Sequence, residues 1–186
     1  MEISYLGKTA IKIKTKSLVL ISDPTQVKDR ADVVIYSNYW PVVEVTGAVN
    51  RETVFVVDKE GEYELAGVGV ITSSNEIDGK KILTSLITYD GVSVAYLGGV
   101  LGSLSDQQLD KLAEVTDVLI VPLLTAATLI EKIQPRLAIL TGYENSAELD
   151  KFFETNKFEI VKRDVDKIKI DGDSLPENTE VLVLNA

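Results

Sequence analysis

The order of apolar patterns along the 186-residue chain predicts an α/β fold, a four-layer α/β/β/α sandwich in which two mixed sheets face each other and helices cover their outer surfaces. Two observations carry this. Residues up to about 100 read as a succession of short strands with alternating or continuous apolar character, and residues beyond 105 alternate helical periodicity with strands. Composition agrees, since 45% of the residues are hydrophobic and 26% charged, the balance of a chain that folds by itself. The length suits one domain, 1–186, with no linker, repeat or low-complexity tract.

The elements follow in order. Ile3 and Tyr5 share one side of a first strand, and after Gly7 the run Ile11-Lys12-Ile13-Lys14 puts apolar and basic residues on opposite faces, which predicts a hairpin. Residues 17–22 form an apolar run that ends at Asp23-Pro24, and Val33-Val34-Ile35-Tyr36 is another, preceded by a polar stretch with room for one helical turn. Further strands are predicted at 53–57, 63–65, 68–72, 82–89 and 92–97, the last two joined by Asp90-Gly91, a dipeptide suited to the positive φ of a tight hairpin. Ser105 followed by Gln108 has the spacing of a capping box and opens a helix over 106–114 with Leu109, Leu112 and Ala113 on one face. A buried strand at 118–122 precedes a helix capped by Thr125, whose Leu129, Ile130 and Ile133 face inward until Pro135. A strand at 137–140, a helix starting at Asn145 or Ser146 with Leu149, Phe152 and Phe153, and strands at 158–161, 167–170 and 180–184 complete the chain.

Several functions are excluded by composition. The formal net charge of −10 offers little counterion release to drive binding of a phosphate backbone, so no nucleic-acid partner is expected. Apolar runs such as 118–124 are too short to span a bilayer and the N-terminus lacks a basic-then-apolar signal, so no membrane partner is expected and the location is read as cytoplasmic. The chain contains no histidine and no cysteine, which removes disulfides, thiol nucleophiles, iron–sulfur ligation and every zinc site built from those residues.

That last exclusion matters because of what the chain resembles. Ile3-Ser4-Tyr5-Leu6-Gly7, Ser22-Asp23-Pro24 and Ala31-Asp32-Val33-Val34-Ile35-Tyr36-Ser37 are followed by Gly61-Glu62-Tyr63-Glu64, Gly67-Val68 and Tyr96-Leu97-Gly98. Then come Leu104-Ser105-Asp106-Gln107-Gln108-Leu109, Asp117-Val118-Leu119-Ile120-Val121-Pro122 and Leu175-Pro176-Glu177-Asn178-Thr179-Glu180-Val181. In this order and spacing they resemble the metallo-β-lactamase fold family, in its branch of zinc-dependent hydrolases, over nearly the whole length. The resemblance implies the same four-layer sandwich.

It also implies where zinc ligands would stand, and there the chain departs. Members of the family carry His-x-His-x-Asp-His after the serine matching Ser37; here the segment reads Asn38-Tyr39-Trp40-Pro41-Val42-Val43, so the aligned positions are Asn38, Trp40, Val42 and Val43. The histidine that often follows the opening Leu-Gly is Lys8, a later one falls near Ser74 or Asn75, the bridging aspartate after Leu97-Gly98 is Gly99, and the last histidine before Tyr143 is Gly142. Zinc needs about four N, S or O donors at roughly 2.0 to 2.3 Å, three of them from protein in a catalytic site. Trp40, Val42, Val43, Gly99 and Gly142 have no side-chain donor, and a Lys8 ammonium repels a dication.

Other chemistry in the same cleft has fewer candidates. Lys8, Asn38, Tyr39, Ser73, Ser74, Asn75, Glu76 and Tyr143 are expected to rim it, but Lys8 beside Gly7 reads as an exposed turn lysine. Asp23 and Glu76 are the carboxylates that would suit a hard cation, although aspartate before proline more often ends a strand through local hydrogen bonds. Gly98, Gly99 and Gly102 match neither the P-loop nor the dinucleotide fingerprint and read as turn residues. Tyr36, Tyr39 and Trp40 form an aromatic cluster suited to filling a vacated cleft or anchoring another surface. Lys12, Lys14 and Lys16 read as a solvated face that guards a sheet edge.

The expectation is therefore a pseudoenzyme with no catalytic residue, no metal and no cofactor, serving binding or assembly through a protein partner or a homo-oligomer. Asp23, Tyr39, Trp40 and Tyr143 are its candidate binding residues. The alternative is a hydrolase-like enzyme that uses an oxygen-ligated metal or a lysine in the same cleft.

Overall fold

The computed structural model describes residues 1–24, 31–38 and 54–185, with the backbone alone for 159–164. The first half is β-structure: β1 (Glu2–Tyr5), β2 (Ile11–Lys14), β3 (Val19–Ser22), β4 (Val33–Ile35), β5 (Phe55–Val57), β6 (Gly61–Leu65), β7 (Val68–Ile77), β8 (Lys80–Tyr89) and β9 (Val92–Tyr96). The second half alternates: α1 (Asp106–Val115), β10 (Val118–Pro122), α2 (Leu123–Ile133), β11 (Leu137–Thr141), α3 (Ser146–Thr155), β12 (Glu159–Val165) and β13 (Lys167–Lys169), then β14 (Glu180–Leu184) after a short 3₁₀ turn. These strands form two mixed sheets, one of order β13-β1-β2-β3-β4-β5 and one of order β12-β14-β11-β10-β9-β8-β7-β6.

The core lies between the sheets. Ile3, Ile11, Ile13, Leu20 and Ile35 of the first sheet pack against Ile87, Val94, Tyr96, Ile120, Ile139 and Leu182 of the second. Each fully buried aliphatic side chain there contributes about 1.5–3 kcal/mol relative to exposure. In the second sheet β9, β10, β11, β14 and β12 run parallel. The crossovers from β9 to β10, β10 to β11 and β11 to β12 all step in one direction across that sheet, and right-handed connections then place α1, α2 and α3 on the same face. A second apolar cluster records this, with Ala95, Leu119, Val121, Ala138 and Leu140 under Leu109, Ala126, Leu129, Ile130, Leu149 and Phe152. The outer face of the first sheet carries a smaller cluster around Ile21, Ala31 and Val34. The predicted helical turn before Val33 lies outside the described residues, apart from Ala31 and Asp32.

Local predictions meet the structure with three corrections. The Ser105 and Gln108 capping box is present, and Asp90-Gly91 turns the β8–β9 hairpin with φ of 53° and 76°. The second helix, however, begins at Leu123 straight after Pro122 without a side-chain cap, and the Thr125 hydroxyl instead donates to the carbonyl of Val100 at 2.9 Å. Strand β7 runs on to Ile77 and turns through Asp78-Gly79, with φ of 51° and 71°, into β8 from Lys80, which absorbs Ser73 to Glu76 into a ten-residue strand. The third correction concerns the lysines: β2 sits between β1 and β3, so Lys12 and Lys14 decorate the outer face of an interior strand and guard no edge.

Candidate functional site

In open α/β sheets, ligands gather beyond the carboxyl ends of the parallel strands. In this sandwich that end is where Asp23 follows β3, Ser37 and Asn38 follow β4, Tyr96 closes β9 and Gly142 follows β11. Hydrogen bonds tie these ends together across the two sheets. Asp23 adopts a left-handed φ of 45°, and its N–H donates to the Ile35 carbonyl at 2.8 Å, which turns the side chain inward. The Ser37 N–H donates to Asp23 Oδ1 at 2.7 Å and the Ser37 hydroxyl donates to Oδ2. The Tyr96 hydroxyl lies 2.7 Å from the same Oδ2 and 2.8 Å from the Thr9 carbonyl oxygen in the β1–β2 turn. Burial pushes the Asp23 carboxyl up from its ordinary value, against the lowering effect of the Ser37 and Tyr96 hydrogen bonds. Burial, and then the neighbouring Asp23, push the Tyr96 phenol well above its own.

Asp23 was expected to end its strand through local hydrogen bonds; its partners are instead 14 and 73 residues away. Tyr96 and Ser37 were therefore missed as members of this cluster. The available signal was the tyrosine itself, a polar tip inside the apolar strand Val92 to Leu97, which demands a buried partner.

Two glycines let the ends approach. Gly98 and Gly99 lie in a turn closed by Val100 N–H to Leu97 O at 2.9 Å, as the sequence suggests, but close approach is the stricter constraint. A Cβ on Gly98 would fall on the Tyr96 hydroxyl and its ring carbon. A Cβ on Gly99, the position aligned with the bridging aspartate, would sit 2.6 Å from Ser37 Oγ and 2.9 Å from Asn38 Oδ1.

The other aligned positions gather at the same end in pairs. The Lys8 carbonyl accepts from Gly142 N–H at 2.6 Å and from the Tyr5 hydroxyl at 2.7 Å, while Lys8 sits at φ 54° in the β1–β2 turn with its side chain exposed. Tyr5 and Tyr143 are in ring contact at 5.3 Å between centroids, and the Tyr143 hydroxyl donates to the Leu184 carbonyl. Burial and then Tyr143 raise the Tyr5 phenol to about 12. Asn38 bridges to Ile82, whose opposite neighbour across the hairpin is Asn75. Asn75 is buried and its amide donates to Ser73 O and Thr84 Oγ1, both at 3.1 Å, while its carbonyl accepts from Gln108 Nε2. Beyond capping α1, Gln108 thus ties that helix to β7. Glu76 faces solvent from β7, opposite Lys81, whereas both oxygens of Asp23 are engaged inside the sandwich. Tyr39, Trp40, Val42 and Val43 lie outside the described residues.

Zinc is the ion the resemblance implies, and the residues do not fit it. The chain has no imidazole or thiolate to offer, the Asp23 carboxyl is consumed by Ser37 and Tyr96, and the Gly99 position is closed by Ser37 and Asn38. Among the described residues no group of three or more His, Cys, Asp or Glu is placed to hold a metal. Among them, too, no helix is long and apolar enough to cross a membrane.

Comparison with solved structures places this architecture. A protein of the metallo-beta-lactamase superfamily from Thermotoga maritima superposes with a TM-score of 0.75 at 20% identity, covering 99% of each chain. A protein from Veillonella parvula gives 0.68 at 9% identity over 91% of this chain and 99% of the other. The metallo-beta-lactamase fold protein YhfI from Bacillus subtilis gives 0.62 at 12% identity over 99% and 96%. At such identities the likeness speaks for the fold alone. No curated protein matches the sequence. The sequence profile of the Beta-lactamase superfamily domain matches residues 2–141, three quarters of the length, and the chain belongs to that superfamily.

Proposed function

We propose that this chain is a pseudoenzyme of the metallo-β-lactamase fold, catalytically inactive as a hydrolase and retained for binding or assembly. One observation carries the reading: a Cβ on Gly99, which the resemblance matches to the family's bridging aspartate, would meet Ser37 Oγ and Asn38 Oδ1, in a chain without histidine or cysteine. Chemistry that lowers the pKa of a metal-bound water requires several converging donors, and the aligned positions offer no imidazole, thiolate or carboxylate among Lys8, Asn38, Gly99 and Gly142. The partner is a protein or a second copy of the chain in the cytoplasm. Leu101 and Leu124, 59% and 76% exposed, support a binding role. Leu101 follows the Gly98-Gly99 turn and Leu124 is the second residue of α2, and the hydrogen bond from Thr125 to Val100 joins the two segments at the same end of the sandwich as the Asp23 cluster. Turnover of ester, amide and phosphodiester substrates, assayed with zinc, manganese, magnesium and calcium each supplied in turn, tests the reading. The expected result is no turnover above buffer under any metal. Metal-dependent turnover that is lost in Asp23→Ala or Glu76→Ala would establish the rival, an enzyme with an oxygen-ligated metal, and turnover lost in Lys8→Ala would establish a lysine-based one.

A further inference from the structure

The hydrogens around Tyr96 do not add up if Asp23 is ionised. The Tyr96 hydroxyl is 2.8 Å from the Thr9 carbonyl oxygen and 2.7 Å from Asp23 Oδ2, both with hydrogen-bond geometry. A phenol carries one hydrogen, and a carbonyl oxygen can only accept. The hydrogen on the Thr9 contact is therefore the one that Tyr96 owns. The contact between Tyr96 and Asp23 needs a second hydrogen, and the neutral carboxylic acid is the form of Asp23 that supplies it. The remaining contacts agree, since the Ser37 N–H fills a lone pair of Oδ1 and the Ser37 hydroxyl one of Oδ2, which the acid form still has free.

We infer that Asp23 keeps its proton at neutral pH and donates it to Tyr96, which donates in turn to Thr9, forming an uncharged clasp between the two sheets that weakens as the pH rises. The clasp joins the end of β3, the end of β4, the β1–β2 turn and the end of β9. Among the described residues, the groups facing Asp23 are Ser37 from beyond β4 and Tyr96 from β9, with Tyr5 of β1 close to Tyr96, and none of these is a cation that would hold the carboxylate ionised. Lys8, beside Thr9, keeps its side chain exposed. Burial raises the carboxyl in the same sense and outweighs the Ser37 and Tyr96 hydrogen bonds, which act to lower it. Because the folded value lies above the unfolded one of about 3.9, the stability this group adds is fully present below about pH 4 and is lost as the pH climbs through the folded value. This inference concerns the scaffold and stands whether or not the chain turns over a substrate.

Asp23→Asn tests it, because an amide mimics the neutral acid: Nδ2–H donates to Tyr96 and Oδ1 still accepts from the Ser37 N–H, while the Ser37 hydroxyl turns to accept from Nδ2. Unfolding midpoints in urea are measured for wild type and D23N from about pH 5 to 9. The expected result is a wild-type advantage over D23N that shrinks steadily with rising pH. An advantage that is constant or grows with pH overturns the inference. Infrared spectra of wild type carrying isotope-labelled aspartate need no variant to fold. A labelled protonated-carboxyl band at neutral pH is expected, and only ionised carboxylate bands for every aspartate would overturn the clasp even if D23N were unstable.

Discussion

Replacing Gly99 with alanine adds one methyl group at the point where the two sheets close on each other, and its cost follows from three distances. The new Cβ would lie 2.6 Å from Ser37 Oγ, 2.9 Å from Asn38 Oδ1 and 3.1 Å from Ser37 Cβ. Contacts between such atoms relax only near about 3.5 Å. Ser37 must therefore recede by several tenths of an ångström, and it is anchored by two hydrogen bonds to Asp23. Overpacking of this kind costs about 1–3 kcal/mol, and loosening one Ser37 hydrogen bond adds about 0.5–1.5 kcal/mol. Gly99→Ala is expected to lower stability by about 2–4 kcal/mol in urea unfolding, with an unchanged slope. Ser37→Ala in the same background removes the nearest atom, and a coupling of about 1 kcal/mol or more between the two changes is expected. A Gly99→Ala variant within about 0.5 kcal/mol of wild type, with no coupling to Ser37, would refute the claim that the Gly99 position is closed.

Other consequences can be checked in the same way. The Thr141 hydroxyl at the end of β11 is fully buried and has no partner among the described residues, so Thr141→Val is expected to be neutral or stabilising by up to about 1 kcal/mol, and a loss of more than that in thermal unfolding would mean the hydroxyl is bonded. Ser105→Ala removes the side-chain half of the capping box on α1 and is expected to cost about 1 kcal/mol, read from unfolding midpoints. Tyr5 is raised to about 12, above an unfolded value of about 10, so its share of stability is intact below about pH 10 and is lost as the pH rises towards 12. Ultraviolet titration of the folded protein should show a late-titrating phenol that Tyr5→Phe removes, and the variant should lose less stability across that range.

The parts of the fold governed by local chemistry were legible in the amino-acid order. Asp90-Gly91 announces its hairpin because both residues tolerate positive φ, and Ser105 with Gln108 announces a helix start because the two side chains satisfy backbone N–H groups reciprocally. The start of α2 was misplaced because Leu123 and Leu124 extend the apolar run of β10, and Thr125 mimics a cap while serving the Val100 loop. The far half of β7 was missed for a different reason. After Thr72 the burial changes face, with Ser74 half-buried and Asn75 buried on the other side, so the period-2 alternation breaks, and the pairing of Asn75 with Thr84 and Gln108 is invisible in a linear reading.

The candidate site was legible in its departures and not in its replacement. Missing histidines can be counted; in the structure Lys8 bonds to Gly142, Gly99 lies against Asn38, and Asn75 stands opposite Ile82, which bridges to Asn38. What fills that end is a set of contacts between residues tens of positions apart, among them Asp23 with Ser37 and Tyr96, which no spacing rule encodes. The aspartate looked like a strand terminator because its local signal, a following proline, was stronger than any hint of its distant partners.

The most direct test of the account is zinc stoichiometry at equilibrium: the purified protein is dialysed against buffered zinc, and the metal retained per chain is determined by elemental analysis alongside calorimetric titration. A dismantled site predicts no stoichiometric zinc and no saturable heat. One tightly held zinc per chain would contradict it.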